Sequence, residues 1–93
     1  MTKAIMQISP LDGVFFDCTA HADDHDACTI MSTLCNVLVE ATLEADYEPT
    51  IYEAGHVRID MEYASEKTNH VFQTVWNVMK QAEQQMPDYI KLY

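Results

Sequence analysis

The sequence predicts an α+β fold in the order ββαββα: a small, mainly antiparallel four-stranded sheet with two helices packed on one face. Three features lead to this. Some stretches alternate apolar and polar residues with period two, and two longer ones repeat apolar residues every three or four positions. Each stretch has a single apolar face to bury. Only two glycines and three prolines occur in 93 residues, which favours long regular elements over loops. An apolar content of 48 % with nine aromatics supplies a core, and the length fits one domain spanning 1–93.

In chain order, Ala4 to Ile8 forms the first strand, and Ser9-Pro10-Leu11-Asp12-Gly13 carries the proline and Asp-Gly signals of a turn. Val14 to His21 is the second strand, with Val14, Phe16, Cys18 and Ala20 on one face and Phe15, Asp17, Thr19 and His21 on the other. A polar loop, Asp23-Asp24-His25-Asp26, precedes an amphipathic helix from Ala27 to about Ala45. Its stripe is Ala27, Ile30, Met31, Leu34, Leu38, Ala41 and Ala45, with Asp24 or Asp26 as N-cap. Tyr47 to Gly55 holds a short strand around Ile51 and a turn. From His56 to Tyr63, Val57, Ile59, Met61 and Tyr63 point inward and His56, Arg58, Asp60 and Glu62 outward. Ser65 or Thr68 caps the last helix, whose stripe runs Val71, Phe72, Val75, Trp76, Met79, Ala82, Met86 before Pro87 ends it.

Fifteen acidic residues against five Lys and Arg give a net charge of −10. Such a chain repels phosphate backbones and anionic membrane surfaces, so nucleic acid and membrane are excluded as partners and a basic protein or peptide is favoured. No apolar run reaches the ~18–20 residues of a membrane span. Met1-Thr2-Lys3 does not open a signal peptide. Cys18, Cys28 and Cys35 are an odd set, unlike a disulfide framework. On a helix Cys28 and Cys35 would lie about 10 Å apart, beyond the ~7 Å limit for a bridge. Free thiols in the cytoplasm are the expectation.

Chemistry concentrates in His21-Ala22-Asp23-Asp24-His25-Asp26-Ala27-Cys28, between the second strand and the first helix. A thiol in the first turn of a helix meets orphan N–H groups and the positive end of the dipole, which favour the nucleophilic thiolate. His21 leaves the strand a few residues earlier, placed to pair with Cys28 as a base. Asp24 or Asp26 is available to orient its imidazole. Three carboxylates beside the thiol act in the opposite sense. The same segment also offers mixed ligands for a metal in His21, His25 and Cys28. His56 and His70 read as surface residues, and Cys18 and Cys35 as core filling. Glu40, Glu44, Asp46 and Glu48 gather near the end of the first helix, where they oppose its dipole. They read as a solvated face, with docking of a basic peptide as the lesser reading.

Ala20-His21-Ala22, then Cys28-Thr29-Ile30-Met31-Ser32-Thr33-Leu34, Gly55-His56-Val57-Arg58-Ile59 and the tail Gln84 to Leu92 resemble the ribosomal-processing cysteine proteases, the Prp or YsxB-like family. The resemblance runs over nearly the whole chain in the same element order. It implies an endopeptidase that trims the N-terminal extension of a large-subunit ribosomal protein, acting as a homodimer without a cofactor. It also implies His21 as general base, Cys28 as nucleophile and Ser32 in support one turn on. The chain departs from the family pattern in the His–Cys loop, which is shorter. Ala20 stands where the family has Gly, and His25 stands where it has an Asp three residues before the Cys; the nearest acid is Asp26. Two other classes therefore stand beside the peptidase: an inactive relative that binds a basic peptide, and a metal-binding module built on the His21–Cys28 loop.

Overall fold

The computed structural model of the chain describes residues 1–9, 13–20 and 24–93. Strands β1 (Thr2–Ile8) and β2 (Val14–Ala20) pair antiparallel from Thr2 opposite Ala20 to Ile8 opposite Val14. Ser9 N–H donates to the Gly13 carbonyl at 2.8 Å to close the connection; Pro10 to Asp12 of the expected turn, and His21 at the expected end of the second strand, lie outside the described residues. Helix α1 runs His25–Glu44, then β3 (Ile51–Glu53) and β4 (His56–Met61) form a short hairpin, α2 covers Glu66–Gln85, and β5 (Ile90–Leu92) closes the chain.

The sheet order is β3-β4-β2-β1-β5. Among the described residues it has five strands rather than the four expected, and β5 joins β1 in parallel while the other described pairs are antiparallel. Three residues are too few to show a period, so β5 left no alternating signature. Its ladder is nonetheless definite: Thr2 N–H donates to the Tyr89 carbonyl at 2.8 Å and Tyr93 N–H to the Ala4 carbonyl at 3.0 Å. The same pairing draws β1 back to Thr2, which is fully buried.

The period-two pattern places Val14, Phe16 and Cys18 beside Val57, Ile59 and Met61 on one face of the sheet. Met31, Leu38 and Val39 of α1 and Phe72, Val75 and Met79 of α2 complete a single core with them. Burying a side chain of this size contributes about 1.5–3 kcal/mol. Both helices thus cover the same face, as expected. The opposite face carries Ile5, Phe15, Asp17 and Arg58, half-buried, with no helix over it among the described residues. Tyr63, expected inward, is exposed beyond the end of β4.

Each helix is fixed by its caps. Asp24 accepts from the Ala27 N–H at 3.0 Å, so α1 starts two residues earlier than the apolar stripe suggested, and Ser65 accepts from the Thr68 N–H at 3.2 Å for α2. Helix α1 ends in a Schellman motif: Asp46 N–H donates to the Leu43 carbonyl and Tyr47 N–H to that of Thr42, each at 3.1 Å. Asp46 sits in the left-handed region with φ 63°, a place glycine usually takes.

Candidate active site

The C-terminal end of β2 and the N-terminal end of α1 come together beside the β3–β4 hairpin. Ala20 N–H donates to the Gly55 carbonyl at 2.9 Å, which ties the end of β2 to the hairpin tip. Gly55 adopts φ 84°, and a Cβ there would lie 3.3 Å from the Ala20 carbonyl oxygen, so the tight tip depends on glycine. Between hairpin and helix lies a groove of about 400 Å³. Cys18, Met31, Cys35 and Val57 form an apolar floor, Ser32 and Asn36 of α1 one wall, and Tyr52 to His56 the other. The Tyr52 hydroxyl donates to the Asn36 side-chain carbonyl at 3.1 Å and bridges the two walls. Glu53 lies on the rim, and no Lys or Arg lines the groove.

Cys28 stands in the first turn of α1, half-buried, with its N–H donated to the Asp24 carbonyl at 3.1 Å. Its Sγ is 3.9 Å from the Ser32 Oγ; Ser32 lines the groove and Cys28 itself does not, so the thiol lies one helical turn from the groove wall. Asp24 is committed as N-cap to the Ala27 N–H, and Asp26 and His25 are exposed in the first turn. The first N–H groups of the helix, those of His25 and Asp26, have no acceptor within the helix and face whatever approaches its end. His21 lies outside the described residues, so its distance to Cys28 is not part of this geometry. Among the described residues no three His, Cys, Asp or Glu side chains are placed together to hold a metal ion.

Cys18 and Cys35, expected as core filling, are buried as expected, and they also meet beneath the groove. A hydrogen bond between them and burial push the Cys35 thiol far above its ordinary value, while the same bond draws Cys18 below its own against burial and the Asp17 charge. His56, expected on the surface, is half-buried on the open sheet face with Nε2 2.6 Å from Asp17 Oδ1. Arg58 reaches the other oxygen of Asp17 at 3.2 Å and lies over the Phe15 ring. His70 is exposed. Asn36, Tyr52 and Glu53 were not singled out from the sequence. Their only signal was an acceptor, a phenol and an acid on segments that the fold alone brings together.

Comparison with solved structures matches the fold over the full chain. A ribosomal processing protease Prp from S. aureus, in complex with a covalently linked product peptide, aligns with a TM-score of 0.79 at 19 % identity, covering 99 % of this chain and 97 % of that one. The chain has the fold of the processing protease Prp. A second Prp structure from S. aureus, in complex with a substrate peptide, gives a TM-score of 0.73 at 18 % identity over 100 % and 98 % of the chains. SMU.848 from Streptococcus mutans gives 0.74 at 21 % identity over 99 % and 91 %. No protein-family model matches the sequence, and no curated protein does. The Prp fold is therefore shared in full at a level of identity where the individual residues have diverged. Among the described residues no helix is long and apolar enough to cross a membrane.

Proposed function

We propose that this chain is a cysteine endopeptidase of the Prp type, with a shortened His–Cys loop, that trims a basic N-terminal extension from a ribosomal protein. The observation that carries this is the position of Cys28. It is a half-buried thiol in the first turn of α1, one helical turn from the Ser32 wall of a groove, on a fold of which two solved examples hold peptide.

In the reaction, His21 takes the proton from the Cys28 thiol and the sulfur attacks the carbonyl carbon of the scissile bond. The uncommitted N–H groups of the first helical turn stabilise the oxyanion of the tetrahedral intermediate. As the carbon–nitrogen bond breaks, His21 passes its proton to the leaving amine, and a thioester to Cys28 remains. Water attacks the thioester, His21 accepts a proton from it, and the acid product leaves with the thiol restored. Ser32 supports the sulfur from one turn on, and no cofactor enters these steps. Asp26 remains available to the imidazole, whereas the carboxylate of Asp24 already serves the helix. The acidic surface attracts a basic substrate, and the reading includes a homodimer working in the cytoplasm.

The test is incubation of the protein with leader peptides of basic ribosomal proteins, followed by mass spectrometry. Cleavage by the wild type should vanish in Cys28→Ala and in His21→Ala while both variants keep the native circular dichroism. Equal cleavage by wild type and Cys28→Ala refutes the peptidase.

A further inference from the structure

Helix α1 has no Lys or Arg anywhere along its length, and its last turn carries Glu44 with no basic residue. Carboxylates at a helix C-terminus face the negative end of its dipole and are unfavourable there. Glu40 and Glu44 are exposed and have no ion-pair partner among the described residues, where the paired carboxylate is Asp17. Neither charge is offset by a direct ion pair among the described residues.

The two glutamates edge an apolar furrow. On the outer side of the α1–α2 contact, Val37, Ala41 and Val71 line a cavity of about 460 Å³ together with Glu40 and Glu44. Val37 is 43 % exposed. The furrow continues past Ala41, Glu44 and Val71 into a second hollow of about 260 Å³ beside Tyr47, Tyr63 and Lys67, so the acidic part of the surface is the Val37–Glu44 stretch. Asn36 lines both the furrow and the groove beside Cys28. A chain leaving that groove past Asn36 enters the furrow without crossing the core.

We propose that the α1–α2 furrow is a second docking site, which holds a basic amphipathic segment of the same polypeptide whose scissile bond lies at Cys28. Its apolar side chains lie on Val37, Ala41 and Val71, and its lysines or arginines meet Glu40 and Glu44. This rests on the peptidase reading for the position of the scissile bond, but the furrow and its charges do not. From Cys28 to Glu44 the helix rises about 24 Å. An extended peptide spans this in about seven residues, so the basic residues lie roughly five to seven positions from the scissile bond. Charge complementarity selects this occupant over a second copy of the chain, because two copies meeting here would bring four carboxylates together.

Binding is measured by fluorescence anisotropy with a short labelled peptide of alternating lysine and leucine pairs, and with its glutamate counterpart. Amide shifts of the protein locate the site. The lysine peptide should bind and shift Val37, Ala41 and Val71, the glutamate peptide should not bind, and physiological salt should weaken binding. Glu40→Gln/Glu44→Gln should lose about tenfold in affinity, while Asp60→Asn/Glu62→Gln, with the same change in charge at the far edge of β4, should match the wild type. Equal losses in the two double variants would show a diffuse acidic field and overturn the site. So would shifts at Val37 and Val71 that depend on protein concentration without peptide, because a second copy would then fill the furrow. Wild-type cleavage by Cys28→Ala defeats the peptidase and leaves this binding intact. Binding indifferent to Glu40 and Glu44 defeats the furrow and leaves Cys28-dependent cleavage standing.

Discussion

Replacing Asp24 separates a structural from a catalytic role at the site. The residue has extended backbone angles, φ −133° and ψ 127°, and its Oδ1 accepts from the Ala27 N–H at 3.0 Å, one residue before Cys28. Asp24→Ala leaves that N–H without its side-chain acceptor, which costs about 1 kcal/mol. It also removes a negative charge from the positive end of α1, worth about 0.3–1 kcal/mol. The sum, about 1–2 kcal/mol, lowers Tm by roughly 5–12 °C in a domain of this size. Asn at the same position keeps the acceptor and loses only the charge, so Asp24→Asn should cost about 0.3–1 kcal/mol. Thermal melts by circular dichroism at neutral pH should rank Asp above Asn above Ala. Peptide cleavage per folded molecule should stay near wild type in Asp24→Asn. An Asn variant that melts like wild type but loses turnover would refute the cap account and assign Asp24 to His21. An Ala variant as stable as wild type would refute the capping energy.

Three further perturbations test other parts of the structure. Cys35 retains its proton in the fold at pH values where the unfolded chain releases it, so its contribution is complete below the ordinary thiol range and falls above it. Above about pH 9, where Cys18 no longer adds a slope, urea denaturation should show stability dropping by up to about 1.4 kcal/mol per pH unit. Cys18→Ala/Cys35→Ala should remove that slope; an unchanged slope would place the titration elsewhere. Asp46→Gly relieves the left-handed backbone at φ 63° and removes a charge from the negative end of α1, so it should raise stability by about 1 kcal/mol; a loss in urea melts would contradict this. Tyr52→Phe deletes the donor to Asn36 across the groove and, because that bond is exposed, should change stability by less than about 1 kcal/mol while KM for peptide rises and kcat holds. A fall in kcat at constant KM would count against a positioning role.

The parts of the fold legible in the sequence were those set by local periodicity. Val14, Phe16 and Cys18, and Val57, Ile59 and Met61, alternate because one face of each strand meets the helices, and the structure pairs these two sets in register. Where a distant partner decides, the pattern was silent. Strand β5 exists because Ile90 to Leu92 find β1 at the other end of the chain and because the Glu83 carboxylate of α2 accepts from the Leu92 N–H at 2.7 Å. The stripe of α1 likewise omitted Val39 and Thr42, both buried. The Thr42 hydroxyl is satisfied by the Leu38 carbonyl at 2.7 Å, which lets a polar residue sit in the core.

The candidate site divides along the same line. Cys28 was legible because a thiol at a helix start is a local feature, whereas the groove beside it joins three segments whose wall residues carry no shared pattern. His56 shows how an outward register can mislead. Alternation put it on the open face, but that face places it diagonally across from Asp17, between β4 and β2, where a carboxylate half-buries it. The distribution of charge is the least local property of all. Arg58 is held by Asp17, and the four lysines lie on β1, β5 and α2, so α1 carries Asp26, Glu40 and Glu44 with no cation of its own. That helix presents a thiol and N–H groups without intrahelical acceptors at its positive end and, among the described residues, carboxylates without an ion pair at its negative end. The first arrangement suits a developing oxyanion, whereas the second is unfavourable until a cation arrives. A substrate whose scissile carbonyl develops an oxyanion at one end of α1 and whose cation lies about seven residues away would satisfy both ends of a single dipole at once.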